Sequence, residues 1–212
     1  MEVQGADVNI RDARGRNALC TLIFGDRILT AQPKLLEYLL QRGCSPNVSY
    51  TEKRYGALDY HCTPVIHAIR HESKDRTNIR IVLKTLLDKG ADPNAQDSLG
   101  RDALIYCVTR NHANTFDFIL SSFSKPDEES KGAQLKLNSV DKLDGRSLIH
   151  YIVDPLPFGS FENEELLRQA LAAGFDPLIR DAKGFTPYEY ALKQKSGVLK
   201  NVFEEVIGLD KL

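Results

Sequence analysis

The chain has 212 residues, 42% hydrophobic and 27% charged, with 14 Gly and 9 Pro, which is the make-up of a folded soluble protein and not of a disordered or fibrous one. A formal net charge of −1 gives no chain-wide field to attract nucleic acid or an anionic membrane, so neither is an expected partner. Apolar runs such as Ile81–Val82–Leu83 are too short to span a bilayer, and Met1–Gly5 has neither the basic start nor the apolar stretch of a secretion signal.

Gly5-Ala6-Asp7-Val8-Asn9 is the end of a unit whose helix is missing, so residues 1–11 read as the tail of a preceding repeat and the chain as part of a longer protein. The unit 12–48 starts with Asp12…Gly15-Arg16-Asn17, where Asn17 is suited to cap a new helix. It closes on Leu39-Leu40-Gln41-Arg42-Gly43-Cys44-Ser45-Pro46-Asn47: apolar helix-end residues, a glycine suited to a left-handed helix stop, then a turn. Both phrases return. The unit 60–94 opens on Thr63-Pro64-Val65-Ile66-His67-Ala68, with proline at the first helical position, where no N–H is needed. It closes on Leu86-Leu87-Asp88-Lys89-Gly90-Ala91-Asp92-Pro93-Asn94. The unit 97–137 opens on Asp97…Gly100-Arg101-Asp102 and lacks the closing phrase. The unit 141–178 runs from Asp144-Gly145-Arg146-Ser147 to Gly174-Phe175-Asp176-Pro177. The last, 181–209, has Asp181…Gly184-Phe185-Thr186-Pro187 and a helix, Val198–Ile207, with Leu199, Val202, Phe203, Val206 and Ile207 on one face.

Register ties the copies together. Helix-stop glycine and next cap are 12 residues apart from Gly5 to Asn17, Gly90 to Asp102 and Gly174 to Thr186. These phrases resemble the ankyrin repeat, whose opening is T-P-L-H-x-A and whose period is about 33. The resemblance implies an all-α fold: an ankyrin-repeat solenoid of about five helix-turn-helix repeats, in one array over 1–212. Cap to stop spans 26 residues from 17 to 43, and 27 from 63 to 90 and from 147 to 174. That is about five or six more than the family period allows, which predicts lengthened inter-helix loops. Two further additions fall within Val48–Tyr60 and Ser121–Leu137. The opening histidine survives only at His150, and proline is missing at Ala18, Ala103 and Leu148, which thins the hydrogen bonding expected between repeats.

Ankyrin arrays bind along their finger-like links and first helices, and the resemblance implies a protein or peptide partner on the concave face. In register, the residue before the helical alanine is Thr21, His67, Tyr106, Tyr151 and Tyr190. A ladder of rings with polar tips suits a contact surface; the alternative is packing between repeats. Arginines recur at the fingers (Arg11, Arg14, Arg16, Arg101, Arg146, Arg180) and suit an acidic or phosphorylated segment, unless the neighbouring Asp12, Asp97, Asp102, Asp144 and Asp181 neutralise them. In 154–163, two prolines forbid helix while Leu156, Phe158 and Phe161 offer either a docking patch or a cover for helix ends.

No catalytic, cofactor or metal site is expected. His61, Cys62, His67 and His71 lack the further ligands of a closed metal site, and the phosphate-loop, dinucleotide and nucleophile-elbow glycine motifs are absent. Cys20, Cys44, Cys62 and Cys107 stand apart, as reduced cysteines of an intracellular protein do. The expected function is a monomeric, non-catalytic protein-interaction scaffold. A fainter resemblance, over Gly145–Tyr151, Pro157–Asn163, Gly174–Pro177, Thr186–Tyr188 and Lys195–Gly197, is to the ankyrin region of tankyrase-like poly(ADP-ribose) polymerases. It implies an alternative role as the target-recruiting or regulatory arm of a multidomain enzyme.

Overall fold

The first helix of each pair is only six or seven residues long, too short to hold in water alone, so the fold rests on packing. The computed structural model describes residues 6–24, 33–52, 60–70, 77–123, 134–154, 164–194 and 197–208. The chain divides into two compact units, Met1–Ser98 and Leu99–Leu212.

The unit Met1–Ser98 holds α1 (Ala18–Phe24), α2 (Pro33–Gln41), α3 (Pro64–Arg70) and α4 (Thr77–Asp88). First helix packs on first helix, α1 against α3, and second on second, α2 against α4. Leu19, Ile66, Ile69, Leu83 and Leu86 are wholly enclosed between them. Such side chains contribute about 1.5–3 kcal/mol each when removed from water. The link between α2 and α3 departs from an all-α fold. It carries an antiparallel pair, β1 (Tyr50–Glu52) and β2 (Tyr60–Cys62), with Tyr50 opposite Cys62. The strands flank the addition placed within Val48–Tyr60, so one finger is extended into a β-hairpin.

The unit Leu99–Leu212 holds α5 (Ala103–Thr109), α6 (Ala113–Phe123), α7 (Leu148–Val153), α8 (Glu164–Ala172), α9 (Pro187–Leu192) and α10 (Val198–Ile207). Here α7 packs between α5 and α9, while α8 packs against α6 and α10. The core is Ile105, Phe116, Ile119, Ile149, Leu167 and Phe203, none more than 1% exposed. Phe203, on the apolar face of α10, closes this core by docking against α8 and α9.

The lengthened inter-helix loops expected after α1, α3 and α7 fall on residues 25–32, 71–76 and 155–163, which lie outside the described residues. The α5–α6 turn is short, with Asn111 in the left-handed region that asparagine tolerates. Each first helix starts on the cap its sequence offers. Asn17 Oδ1 accepts from Cys20 N at 2.9 Å and Asp102 Oδ1 from Ile105 N at 3.0 Å. Thr186 and Glu189 satisfy each other's backbone N–H groups in a capping box. No helix among the described residues is long and apolar enough to cross a membrane.

Candidate functional site

Three finger aspartates are bonded to their own finger. Asp12 Oδ1 accepts from the N–H groups of Arg14 and Arg16, both at 2.9 Å. Asp181 Oδ1 accepts from Lys183 at 2.9 Å and Phe185 at 3.0 Å. Before α7 the role falls to Asp141, whose carboxylate accepts from Leu143 (2.7 Å), Asp144 (2.8 Å) and Arg146 (3.2 Å). This corrects the spacing reading, which put the finger aspartate at Asp144, a residue that stands exposed. That finger is one residue longer: its closing bond runs from Asp141 N to Arg146 O, against Asp12 to Arg16 and Asp181 to Phe185 in the others.

The expected tyrosine ladder reaches these same aspartates. The Tyr151 hydroxyl donates to Asp141 Oδ2 at 2.9 Å, and the Tyr190 hydroxyl to Asp181 Oδ2 at 2.5 Å. Tyr106, Tyr151 and His67 are buried, His67 with its ring 5.9 Å from that of Tyr50, and Tyr190 is half-buried. Their position is that of the packing alternative: each bonded phenol locks a finger onto the helix that follows it. Burial pushes the Tyr151 hydroxyl up to about 12; the bond to Asp181, with burial, does the same to Tyr190. Burial opposes the charge of Asp181, but the Tyr190 hydroxyl and the finger N–H groups outweigh it and hold the carboxyl below its usual range.

Arg146 is not a tip residue. Its guanidinium is buried over the Tyr151 ring, 4.9 Å from the centroid, and donates to His150 O at 2.9 Å and to Asp154. It thus ties off the end of α7, where carbonyls lack helical partners. Arg101 is half-buried, close enough to Tyr151 for its charge to favour the phenolate. Leu156, Phe158 and Phe161 lie outside the described residues, as does His71. His150 accepts on Nδ1 from Ser147 N at 3.1 Å, and its Nε2 lies 3.0 Å from Phe185 O in the next finger. One retained histidine therefore still bridges two repeats.

Asparagines staple repeat to repeat. Asn9 Nδ2 donates to Gly43 O at 2.9 Å while its Oδ1 accepts from Ser45 N at 2.8 Å. Asn47 does the same to Gly90 O and Asp92 N, both at 2.7 Å. In the other unit, Asn138 Oδ1 accepts from Asp176 N at 3.1 Å. The repeat phrases do not point to Asn138, because the glycine phrase is lost from its repeat. Its signal is the fixed offset of three residues to the finger aspartate, Asn9 to Asp12 and Asn138 to Asp141.

These observations agree with the comparisons. A family model described as ankyrin repeats, in three copies, matches residues 28–131. An ankyrin repeat domain from Acinetobacter baumannii AYE has 20% identity and a TM-score of 0.70, covering 96% of this chain and 87% of its own. The fold is the ankyrin repeat. A second solved ankyrin repeat protein, at 18% identity, gives a TM-score of 0.67 over 94% of this chain and 85% of its own. An ankyrin repeat protein of Acanthamoeba polyphaga mimivirus is 30% identical over 89 residues, or 42% of this chain; the chain spans only 10% of that relative's length.

Within the ankyrin fold, the surface left for recognition is uneven. Helices α3, α5 and α7 are buried along their whole length and present no open row of side chains. The fingers do. Ile10 is 67% exposed, Leu143 59%, Leu178 46% and Val140 40%. In the unit Leu99–Leu212, backbone bonds join the tips edge to edge, from Lys142 N to Leu99 O (2.9 Å) and from Ala182 N to Asp144 O (2.7 Å). A Cβ on Gly100 would sit 3.0 Å from Lys142 N, and one on Gly145 3.2 Å from Ala182 N, so glycine is what lets the tips meet. This row of joined tips is the candidate site.

Proposed function

We propose that the chain is a non-catalytic, monomeric scaffold that binds a protein or peptide through its ankyrin fingers. The observation that carries this reading is the exposure of Leu143, Leu178 and Val140 on links whose own carboxylates are spent holding their shape. Apolar side chains held outward on a bonded frame lose little conformational entropy when covered. The role of recruiting arm for a polymerase-like enzyme rests on the sequence phrases of 145–197 alone, and it uses the same surface.

Selection of random peptides displayed on phage against the immobilised chain tests this. The proposal expects saturable binders that the double substitution Leu143→Ala, Leu178→Ala weakens about tenfold, as loss of central apolar contacts does. Binders indifferent to that substitution would place recognition elsewhere. Turnover of NAD⁺ by the chain would contradict its reading as non-catalytic.

A further inference from the structure

The net charge of −1 conceals a separation of charge within the unit Leu99–Leu212. Asp141 and Asp181 are no more than 7% exposed, and both are occupied by N–H and phenol donors inside their fingers. Arg180 is held by Gly184 O at 2.6 Å and by Glu189 at 3.3 Å. Lys142, Lys183 and Lys193 point outward, and none forms an ion pair among the described residues. Lys193 lies instead over the Phe185 ring, 3.7 Å from its centroid, which holds the ammonium without cancelling its charge. Against these cations the fingers, among the described residues, set the exposed Asp144 and the half-buried Asp176, whose Oδ1 accepts from Leu178 N at 2.8 Å. Leu143 and Leu178, 59% and 46% exposed, lie on these fingers.

We infer that this tip row receives an acidic segment carrying apolar side chains. The inference rests on the reading of the fingers as a protein-binding surface and adds the chemistry of the partner. Ammonium groups beside apolar side chains attract carboxylates, repel basic segments, and act mainly on the rate of encounter. The leucines then supply contact area, which charge at an exposed rim does not.

The test compares peptides selected on the wild-type chain with those selected on the double variant Lys142→Glu, Lys183→Glu. Both positions are exposed and outside the core, so folding is expected to survive; circular dichroism verifies it. The inference expects wild-type binders rich in Asp and Glu between apolar residues. It expects their affinity to fall about tenfold on charge reversal and to weaken steadily between low and physiological salt. Binders of neutral or basic composition, or acidic ones unmoved by the reversal, would overturn the inference while leaving the fingers a protein-binding surface. Failure to select any peptide would count against both.

Discussion

The Tyr151 hydroxyl donates to Asp141 Oδ2 at 2.9 Å, in a finger whose aspartate is only 3% exposed. That bond turns a surface-type pair of residues into part of the frame. Tyr151→Phe leaves the ring in place and removes the donor, and is expected to cost about 1–2 kcal/mol, the penalty of a buried acceptor losing a partner. Urea unfolding measures it. Tyr190→Phe should cost less, because Tyr190 and its finger are more open to water. Equal stability of wild type and Tyr151→Phe would show that the phenol does not hold the finger.

Gly100 and Gly145 combine positive φ, +79° and +64°, with a neighbouring finger where a Cβ would stand. Gly43 has φ +84° and nothing within 4 Å of its absent Cβ. Alanine at Gly43 should therefore cost only the left-handed backbone penalty, roughly 1–2 kcal/mol. Alanine at Gly100 must also push back Lys142 N and should cost visibly more. The contrast is read from paired melting curves, and equal losses would deny the tip-to-tip contact.

Asn138 is expected to staple as Asn47 does. Asn138→Ala leaves Asp176 N without its acceptor, at about 1 kcal/mol for an exposed site. Asn47→Ala loses both a donor and an acceptor and should cost more. Hydrogen exchange at Asp176 and Asp92 reports each staple directly, and unchanged exchange at Asp176 in Asn138→Ala would remove it from the set.

His150 sets a pH dependence. Burial holds its imidazole below its usual value, and protonation would put a second N–H against the Ser147 N–H donor. The unfolded chain therefore binds more protons than the folded one between the folded value and about 6.5. Stability contributed by this group rises with pH through that window and is lost as pH falls through it. The slope between pH 5 and about 7 should flatten in His150→Gln, which cannot titrate there. An unchanged slope would assign the dependence to other groups.

The parts of the fold that depend on local chemistry were readable from residues alone. Asn17, Asp102 and Thr186 cap because a short polar side chain before a helix meets free N–H groups, whatever surrounds it. Asp141 was missed because its finger carries one residue more, which shifts the apparent motif onto Asp144. The β1–β2 hairpin was missed because an added segment carries no register of its own. The tyrosines were found, but which way a ring faces depends on what packs above it, and sequence spacing does not contain that.

The tyrosines hold the fingers, and binding is the role proposed for the exposed finger surface. One phage-selected peptide, titrated against Leu143→Ala, Leu178→Ala and separately against Tyr151→Phe, separates the two roles. The leucine variant is expected to lose about tenfold in affinity with its melting temperature kept, and Tyr151→Phe to lose stability but bind normally while folded. Loss of binding by folded Tyr151→Phe, with the leucine variant unaffected, would contradict it.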